Sequence, residues 1–124
     1  MQGRGIRGAI TIEQDKPEEI ISATCELLQA ILDANPTLRA ENIGSVIFTV
    51  TPDIVSEFPA KAARVLGWKS VPLMCMQEIP VPGSLSKCIR VLVSWNTKLK
   101  QKDVNHIYLK DAVSLRPDLM EGVS

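Results

Sequence analysis

The sequence predicts an α+β fold in which a mixed sheet carries its helices on one side. Segments with the two-residue alternation of strands and segments with helical spacing follow one another as strand, helix, strand, helix and then mostly strands. The chain of 124 residues has the length of one domain, and its sequence contains no repeat, linker or low-complexity stretch that would divide it. We therefore expect a single domain over residues 1–124, with residues 118–124 as a flexible tail.

The first predicted strand covers residues 5–13. Ile6, Ile10 and Ile12 share one side of this segment, while Arg7 falls on the other side among small residues. This alternation is typical of a strand with one buried face. It also indicates that Arg7 lies on the less apolar face of the sheet.

A long helix is predicted to follow this strand. Asp15 suits the N-cap, and Pro17 suits the first turn because its missing N–H would have no partner there. The pair Asn35-Pro36 ends the helix, because the residue before a proline avoids the helical region. The apolar stripe that defines the buried face consists of Ile20, Ala23, Leu27, Leu28, Ile31 and Leu32.

The remaining elements are shorter. Residues 45–51 are rich in β-branched side chains and predict a buried strand. A second helix begins at a proline in its first turn and is closed by Gly67. In chain order, we predict a helical turn at 37–42, the strand at 45–51, the second helix at 59–66, a strand at 71–76, a turn at 80–83, and strands at 89–95 and 107–109.

Charge and cysteine content exclude several classes of function. The chain has 14 basic and 14 acidic residues, so we expect no nucleic acid as the main partner, since that binding depends on excess positive charge. The three cysteines, Cys25, Cys75 and Cys88, have the spacing of neither a disulfide framework nor a metal site. Together with the lack of a signal peptide or a long apolar run, this predicts a cytoplasmic protein that binds no membrane.

Several catalytic chemistries find no support in the sequence. The one histidine, His106, has no pattern around it that indicates a Ser-His-Asp site, and we expect it to be a surface or structural residue. Zinc would need three or four nitrogen or sulfur ligands, which the chain can hardly supply. Glycine-rich nucleotide loops are also missing. We therefore expect neither a metal nor a cofactor.

Arginines on strands are the best candidates for a functional site. Arg7 and Arg90 each lie on the less apolar face of a predicted strand, where the usual alternative is simple exposure to solvent. On adjacent strands they would form a site for an anion, because a guanidinium group donates two parallel hydrogen bonds to a carboxylate. Glu78 would stay ionised beside them, either to hold a substrate hydroxyl or to pair with an arginine. Lys61, Arg64 and Arg116 could enlarge this site.

The chain resembles the monofunctional, non-helical class of chorismate mutases, whose best-known members form trimers. The similarity extends over residues 3–119. Five motifs carry it: RGIRGAIT at 4–11, TPDIVSEFPAKAAR at 51–64, GWKSVPLMCMQE at 67–78, KCIRV at 87–91 and HIYLKDAVSLRPDL at 106–119.

This resemblance implies a homotrimer with a pseudo-barrel core and three active sites, each between neighbouring subunits. The implied reaction is the Claisen rearrangement of chorismate to prephenate, a step toward phenylalanine and tyrosine. Arg90 would donate to the ether oxygen of the bond that breaks, while Glu78 and Cys75 would contact the ring hydroxyl. Arg7 and Tyr108 would hold a carboxylate. The other implied substrate contacts are Phe58, Ala60, Lys61, Arg64, Leu73 and Met74 on the cleft wall, and Leu115 and Arg116 from the C-terminal segment.

Two other functions remain open at this stage. The same fold could serve as a non-catalytic module that binds a dicarboxylate or regulates another protein. It could also carry a different reaction, such as the hydrolysis of an imine by a deaminase, because a fold does not determine an activity.

Overall fold

The computed structural model of the chain describes residues 1–116, which form one five-stranded sheet and two α-helices. The tail expected at 118–124 lies outside the described residues. The strands are β1 (Gln2–Thr11), β2 (Ile43–Val50), β3 (Leu73–Gln77), β4 (Cys88–Thr97) and β5 (Ile107–Leu109); the helices are α1 (Pro17–Ala34) and α2 (Ala60–Val65). Short 3-10 segments occupy Ala40–Asn42, Gln101–Asp103 and Lys110–Leu115.

The sheet is mixed, with the spatial order β3-β2-β4-β1-β5. The central strand β4 pairs antiparallel with both β1 and β2. The two outer pairs, β1 with β5 and β2 with β3, are parallel. This arrangement confirms the predicted α+β class with a mixed sheet. It also leaves β3 and β5 as the edge strands.

One face of the sheet and both helices enclose the main hydrophobic core. Trp95 of β4 and Phe48 of β2 are fully buried there, and burial of a side chain such as Phe48 contributes roughly 1.5–3 kcal/mol. Five of the six residues of the predicted α1 stripe are buried, and Leu32 is partly buried. The predicted period of α1 is thereby confirmed.

The opposite face of the sheet, which we call the open face, carries no α-helix among the described residues. Arg7, Arg90 and Leu92 project from it, and Leu92 is 46% exposed although it is apolar. A small second cluster of Ala9, Cys88 and Ala112 covers only part of this face. The open face is therefore where polar and unpartnered apolar side chains meet.

The start of α1 differs from the prediction. Lys16, not Asp15, occupies the N-cap, and its side chain makes no capping bond. The Asp15 carboxylate instead accepts hydrogen bonds from the backbone N–H groups of Val55 and Ser56, so it ties the start of α1 to the segment before α2. Sequence spacing could not distinguish a local cap from this contact across 40 residues.

The strand boundaries in the structure differ from the predicted ones by a few residues. β4 extends past the predicted range on both sides, and β1 begins at Gln2 rather than at Gly5.

Within the described residues, no helix is long and apolar enough to span a membrane. The three cysteines are unpaired.

Candidate active site

Arg7 of β1 and Arg90 of β4 line one cavity of about 400 Å³ on the open face. In the β1–β4 ladder Arg7 pairs with Leu92 and Arg90 pairs with Ala9, so the two arginines are diagonal neighbours on the same face. Diagonal neighbours of this kind have Cβ atoms about 7 Å apart. The predicted juxtaposition of two arginines on adjacent strands is therefore present within one chain.

Glu78 reaches the same cavity from the end of β3. Its backbone N–H donates to Val50 O at 2.8 Å, which continues the β2–β3 pairing by one residue. The carboxylate Oε2 lies 3.7 Å from Arg90 Nε and also accepts a hydrogen bond from the Thr49 hydroxyl. Both readings of Glu78 are thus compatible with its position, because it pairs with an arginine while its side chain lines the cavity.

Tyr108 and Leu115 complete the cavity from the C-terminal part of the described chain. The Tyr108 ring packs on the open face, whereas Ile107 and Leu109 pack against the main core, as their alternation predicted. Arg116 lines an adjoining cavity that shares Arg7 and Tyr108 with the first. The C-terminal residues named from the resemblance are therefore close to the arginines.

Cys88 lies beneath this group of residues at the start of β4. It is 1% exposed, and burial raises the pKa of its thiol to about 11, despite the nearby charge of Arg90. Cys88 is therefore a neutral packing residue at ordinary pH. The cationic character of the cavity comes from the arginines.

The other predicted contacts lie at the β3 edge, around a second cavity of about 290 Å³. Phe58 and Cys75 line it, and Phe58 is 64% exposed. In the β2–β3 ladder Cys75 pairs with Phe48, a residue of the helix-facing side, so the Cys75 side chain points away from the face that carries Glu78. The structure does not bring the Cys75 side chain to Glu78 within one chain, and burial raises the pKa of its thiol.

The remaining wall residues surround the same edge. Leu73 faces the helices, whereas Met74 lies on the open face and is 56% exposed. Lys61 Nζ donates to Glu57 at 3.1 Å, and Arg64 Nη1 donates to the backbone oxygens of Trp68 and Lys69 at the end of α2. We call the residues at this edge the wall group: Phe58, Ala60, Lys61, Arg64, Leu73, Met74 and Cys75. We call the residues of the first cavity the cavity group: Arg7, Glu78, Arg90, Tyr108 and Leu115.

Five residues that line the first cavity were not predicted: Gly8, Ile47, Thr49, Val91 and Leu92. Ile47 and Thr49 of β2 and Leu92 of β4 line it together with the arginines. Their positions follow from the alternation on β2 and β4 once the register is known, because Thr49 pairs with Arg90 and Ile47 pairs with Leu92. The missing information was the register between strands.

Comparison with known proteins agrees with this geometry. Residues 3–119 match the family model described as chorismate mutase type I. The chain belongs to the chorismate mutase type I family. It is 57% identical over 116 residues to the chorismate mutase AroH of Thermus thermophilus, covering 94% of this chain and 95% of that protein.

Two other chorismate mutases support the same family. The AroH protein of Bacillus subtilis is 48% identical over 120 residues, covering 96% of this chain and 94% of that protein. A solved chorismate mutase structure from Clostridium thermocellum superposes with a TM-score of 0.86 at 48% identity, covering 89% of this chain and 97% of that one. The chorismate mutase family therefore accounts for the sequence and for the fold.

Proposed function

We propose that the chain is a chorismate mutase that converts chorismate to prephenate, with Arg90 as the main catalytic residue. The observation that carries this proposal is the convergence of Arg7, Glu78, Arg90 and Tyr108 on one cavity of about 400 Å³. Small-molecule sites usually enclose about 300–1,000 Å³, so this space suits a compact substrate. Phenylalanine and tyrosine biosynthesis follows as the pathway that uses this step.

The reaction itself makes few chemical demands on the protein. In the rearrangement one C–O bond breaks while one C–C bond forms within the same molecule, so no proton is transferred and no nucleophile attacks. The protein must hold the substrate in its compact conformer, and it must stabilise the negative charge that develops on the ether oxygen. Fixed hydrogen-bond donors are sufficient for both tasks.

The residues of the cavity group suit these two tasks. Arg90 is a permanent cation on the central strand, and the Glu78 carboxylate 3.7 Å away restrains its guanidinium. We assign to Arg90 the contact with the ether oxygen, and to Glu78 the contact with the ring hydroxyl. Arg7, near the C-terminal segment, would bind a carboxylate together with Tyr108.

We further propose that the active site is completed by a neighbouring copy in a homotrimer. The residues of the wall group do not line the cavity of their own chain. They lie around its β3 edge instead. Apolar side chains at that edge and on the open face, among them Phe58, Met74 and Leu92, are exposed in the single chain. Packing of the β3 edge of one copy over the cavity of the next would bury these residues and supply Lys61 to a dianionic substrate.

A chorismate assay tests the proposed activity directly. Loss of chorismate absorbance, with prephenate identified by NMR, is the expected result for the folded protein. Calorimetric binding of chorismate without turnover would support the dicarboxylate-binding alternative instead. Hydrolysis of an imine without any effect on chorismate would support the deaminase alternative.

Complementation between two variants tests the shared site. We expect Arg90→Ala and Lys61→Glu each to be nearly inactive alone. If each site takes Arg90 from one chain and Lys61 from its neighbour, co-expressed mixed trimers should regain about a quarter of the sites. Absence of any recovery, in trimers shown by mass to contain both variants, would contradict a site between subunits.

A charge on the open face tests the assembly separately. Leu92→Lys should reduce the mass measured by light scattering from that of a trimer to that of a monomer. The matched control is Ser22→Lys, which adds the same charge at an exposed position of α1. Equal masses for both variants would argue against the open face as the interface.

The cytoplasm is the proposed compartment. Its support is the set of three unpaired cysteines, which suits a reducing environment. Fractionation of the native cells, with the protein found outside the cytoplasm, would contradict it.

A further inference from the structure

The edge of β1 continues beyond the point where its ladder with β5 ends. β5 pairs with residues 8–10 of β1. At Gly5 the side chain of Gln101 replaces a neighbouring strand, since its Oε1 accepts from Gly5 N at 2.9 Å and its Nε2 donates to Gly5 O at 2.7 Å. The loop after β4 thus satisfies backbone groups that a longer β5 would have bonded.

A side chain also bonds to the backbone of Arg7. Its backbone N–H donates to Nδ1 of His106 at 2.9 Å. The imidazole can accept this bond only while Nδ1 carries no proton. His106 is the residue just before β5, and its bond to Arg7 continues the β1–β5 pairing by a side-chain contact.

The loop that carries His106 is also fixed on its other side. Asn105 N donates to Asn35 Oδ1 at 3.0 Å, and Asn35 Nδ2 donates to Asn105 O at the same distance. Asn105 Nδ2 further donates to Ala34 O at 2.8 Å. The imidazole therefore connects Arg7 to a loop that is anchored on the end of α1.

We propose that His106 is a positioning residue for substrate binding: its neutral imidazole fixes the Arg7 backbone, and thereby the point from which the Arg7 guanidinium enters the cavity. This inference rests on the proposed function, because it assigns Arg7 to a substrate carboxylate. It gives a role to a histidine that touches no reacting atom. His106 lies beside the cavity that adjoins the first one, together with Arg7, Tyr108 and Arg116.

Protonation should weaken this arrangement. Burial and the neighbouring charge of Arg7 both lower the pKa of His106 below its ordinary value. Among the described residues, the charged and titratable groups around the imidazole are Arg7 of β1, Tyr108 of β5 and Arg116 of the C-terminal segment. Asn35, the residue after α1, presents only a neutral amide to this loop. The neutral form is therefore favoured in the folded protein. The hydrogen bond from Arg7 N–H to His106 Nδ1 is fully formed above the ordinary pKa of histidine. It is lost as the pH falls through the lowered pKa of His106.

The experiment compares two substitutions of His106 in the full chain. His106→Asn keeps an acceptor at nearly the same place but cannot be protonated, whereas His106→Leu removes the acceptor. We expect His106→Leu to raise KM for chorismate about 5- to 10-fold, with kcat within about twofold, as for one lost hydrogen bond that acts equally on bound substrate and transition state. His106→Asn should keep the wild-type KM at neutral pH. It should also lose the rise in KM that we expect for the wild type as the pH falls through the lowered pKa of His106.

Gln101→Leu is the matched control, because it removes side-chain bonds to the same edge two residues from Arg7. We expect it to lower thermal stability without changing the pH dependence of KM. Unchanged KM in His106→Leu, or a wild-type acid limb in His106→Asn, would overturn the proposal. If His106→Leu does not fold, the pH profile of His106→Asn decides.

Amide exchange separates this inference from the proposed function. The Arg7 amide should be protected in the wild type and in His106→Asn, and it should exchange faster in His106→Leu. If the wild type fails to convert chorismate while this pattern holds, the proposed function is wrong but the contact is real. If the Arg7 amide is equally protected in all three proteins, the positioning role is wrong whatever the activity.

Discussion

The cavity group and the wall group differ in how the chain holds their charges. In the cavity group, Arg7 and Arg90 project from paired strands into a shared space, and Glu78 restrains Arg90 from 3.7 Å. In the wall group, Lys61 is paired with Glu57, and Arg64 donates to the backbone at the end of α2. One set of charges lines an open cavity, while the other is paired within its own chain.

This difference indicates a division of roles. Paired strands fix side chains to within a fraction of an ångström, which suits groups that must meet a developing charge. A short helix of six residues at a sheet edge would suit a surface that closes the proposed site between copies. We therefore expect changes at Arg90 to affect the rate, and changes in the wall group to affect binding.

The largest expected effect on kcat comes from replacing one arginine of each group by lysine. Arg90→Lys should lower kcat on the order of 10²-fold or more, because a point charge cannot reproduce the forked donor beside the ether oxygen. Arg64→Lys should lower kcat less than about tenfold, because it mainly weakens the bonds at the end of α2. Steady-state kinetics with chorismate, and circular dichroism for the fold, measure both.

Equal losses of kcat in the two variants would contradict the proposed difference between the cavity group and the wall group. Such a result would mean that Arg64 leaves its backbone contacts in the assembled protein and acts on the reacting atoms. A loss of ellipticity in Arg90→Lys would instead show that the residue supports the sheet, although its side chain is 49% exposed.

A second prediction concerns the support beneath the cavity group. A Cβ atom added at Gly8 would lie 2.9 Å from Ile31 Cδ1 and 3.0 Å from Val91 Cγ1, both on buried residues. Gly8→Ala should therefore lower the free energy of unfolding by about 1–3 kcal/mol through overpacking between β1 and α1. Urea denaturation measures this change.

Gly5→Ala is the matched control on the same strand. Its added Cβ would meet Leu92 Cδ1 at 3.5 Å, which is an ordinary contact, so we expect little change in stability. If both variants are equally stable, α1 does not fix β1 at this point. The cavity group would then depend less on the helix layer than the packing indicates.

The fold could be predicted from the sequence where periodicity was clear. α1 and β4 each have one unambiguous apolar face, so their class and their buried residues were predictable. The 3-10 segment Lys110–Leu115 was missed, because it begins with Lys110 at a φ of 55° and has no amphipathic period. The side-chain contacts of the loop after β4 were also missed, since they join residues 70 to 99 positions apart.

Five residues named in the sequence analysis line the first cavity, but the separation of the candidate site into two groups could not be predicted. Residues 73–77 read LMCMQ, in which four of five side chains are apolar, so alternation could not decide which of them face the helices. The resemblance implied that Cys75 and Glu78 contact the same hydroxyl, whereas the register with Phe48 turns the Cys75 side chain to the other face of the sheet. The hydrogen bonds from Arg64 to backbone oxygens could not be predicted either, because every residue has a carbonyl group and the sequence does not show which of them accept.

The smallest expected effect tests whether the wall group meets the substrate at all. The Glu57 carboxylate accepts from Phe58 N–H and from Lys61, and these contacts lower its pKa, so it is ionised at neutral pH. If the wall closes over a dianionic substrate, Glu57→Gln should lower KM by less than about threefold, and added salt should remove the difference by screening. The control Glu41→Gln removes an exposed carboxylate from the 3-10 segment before β2 and should leave KM unchanged. An identical small shift in both variants would reflect net charge alone, whereas a KM for Glu57→Gln equal to that of the wild type at low salt would place the wall group away from the bound substrate.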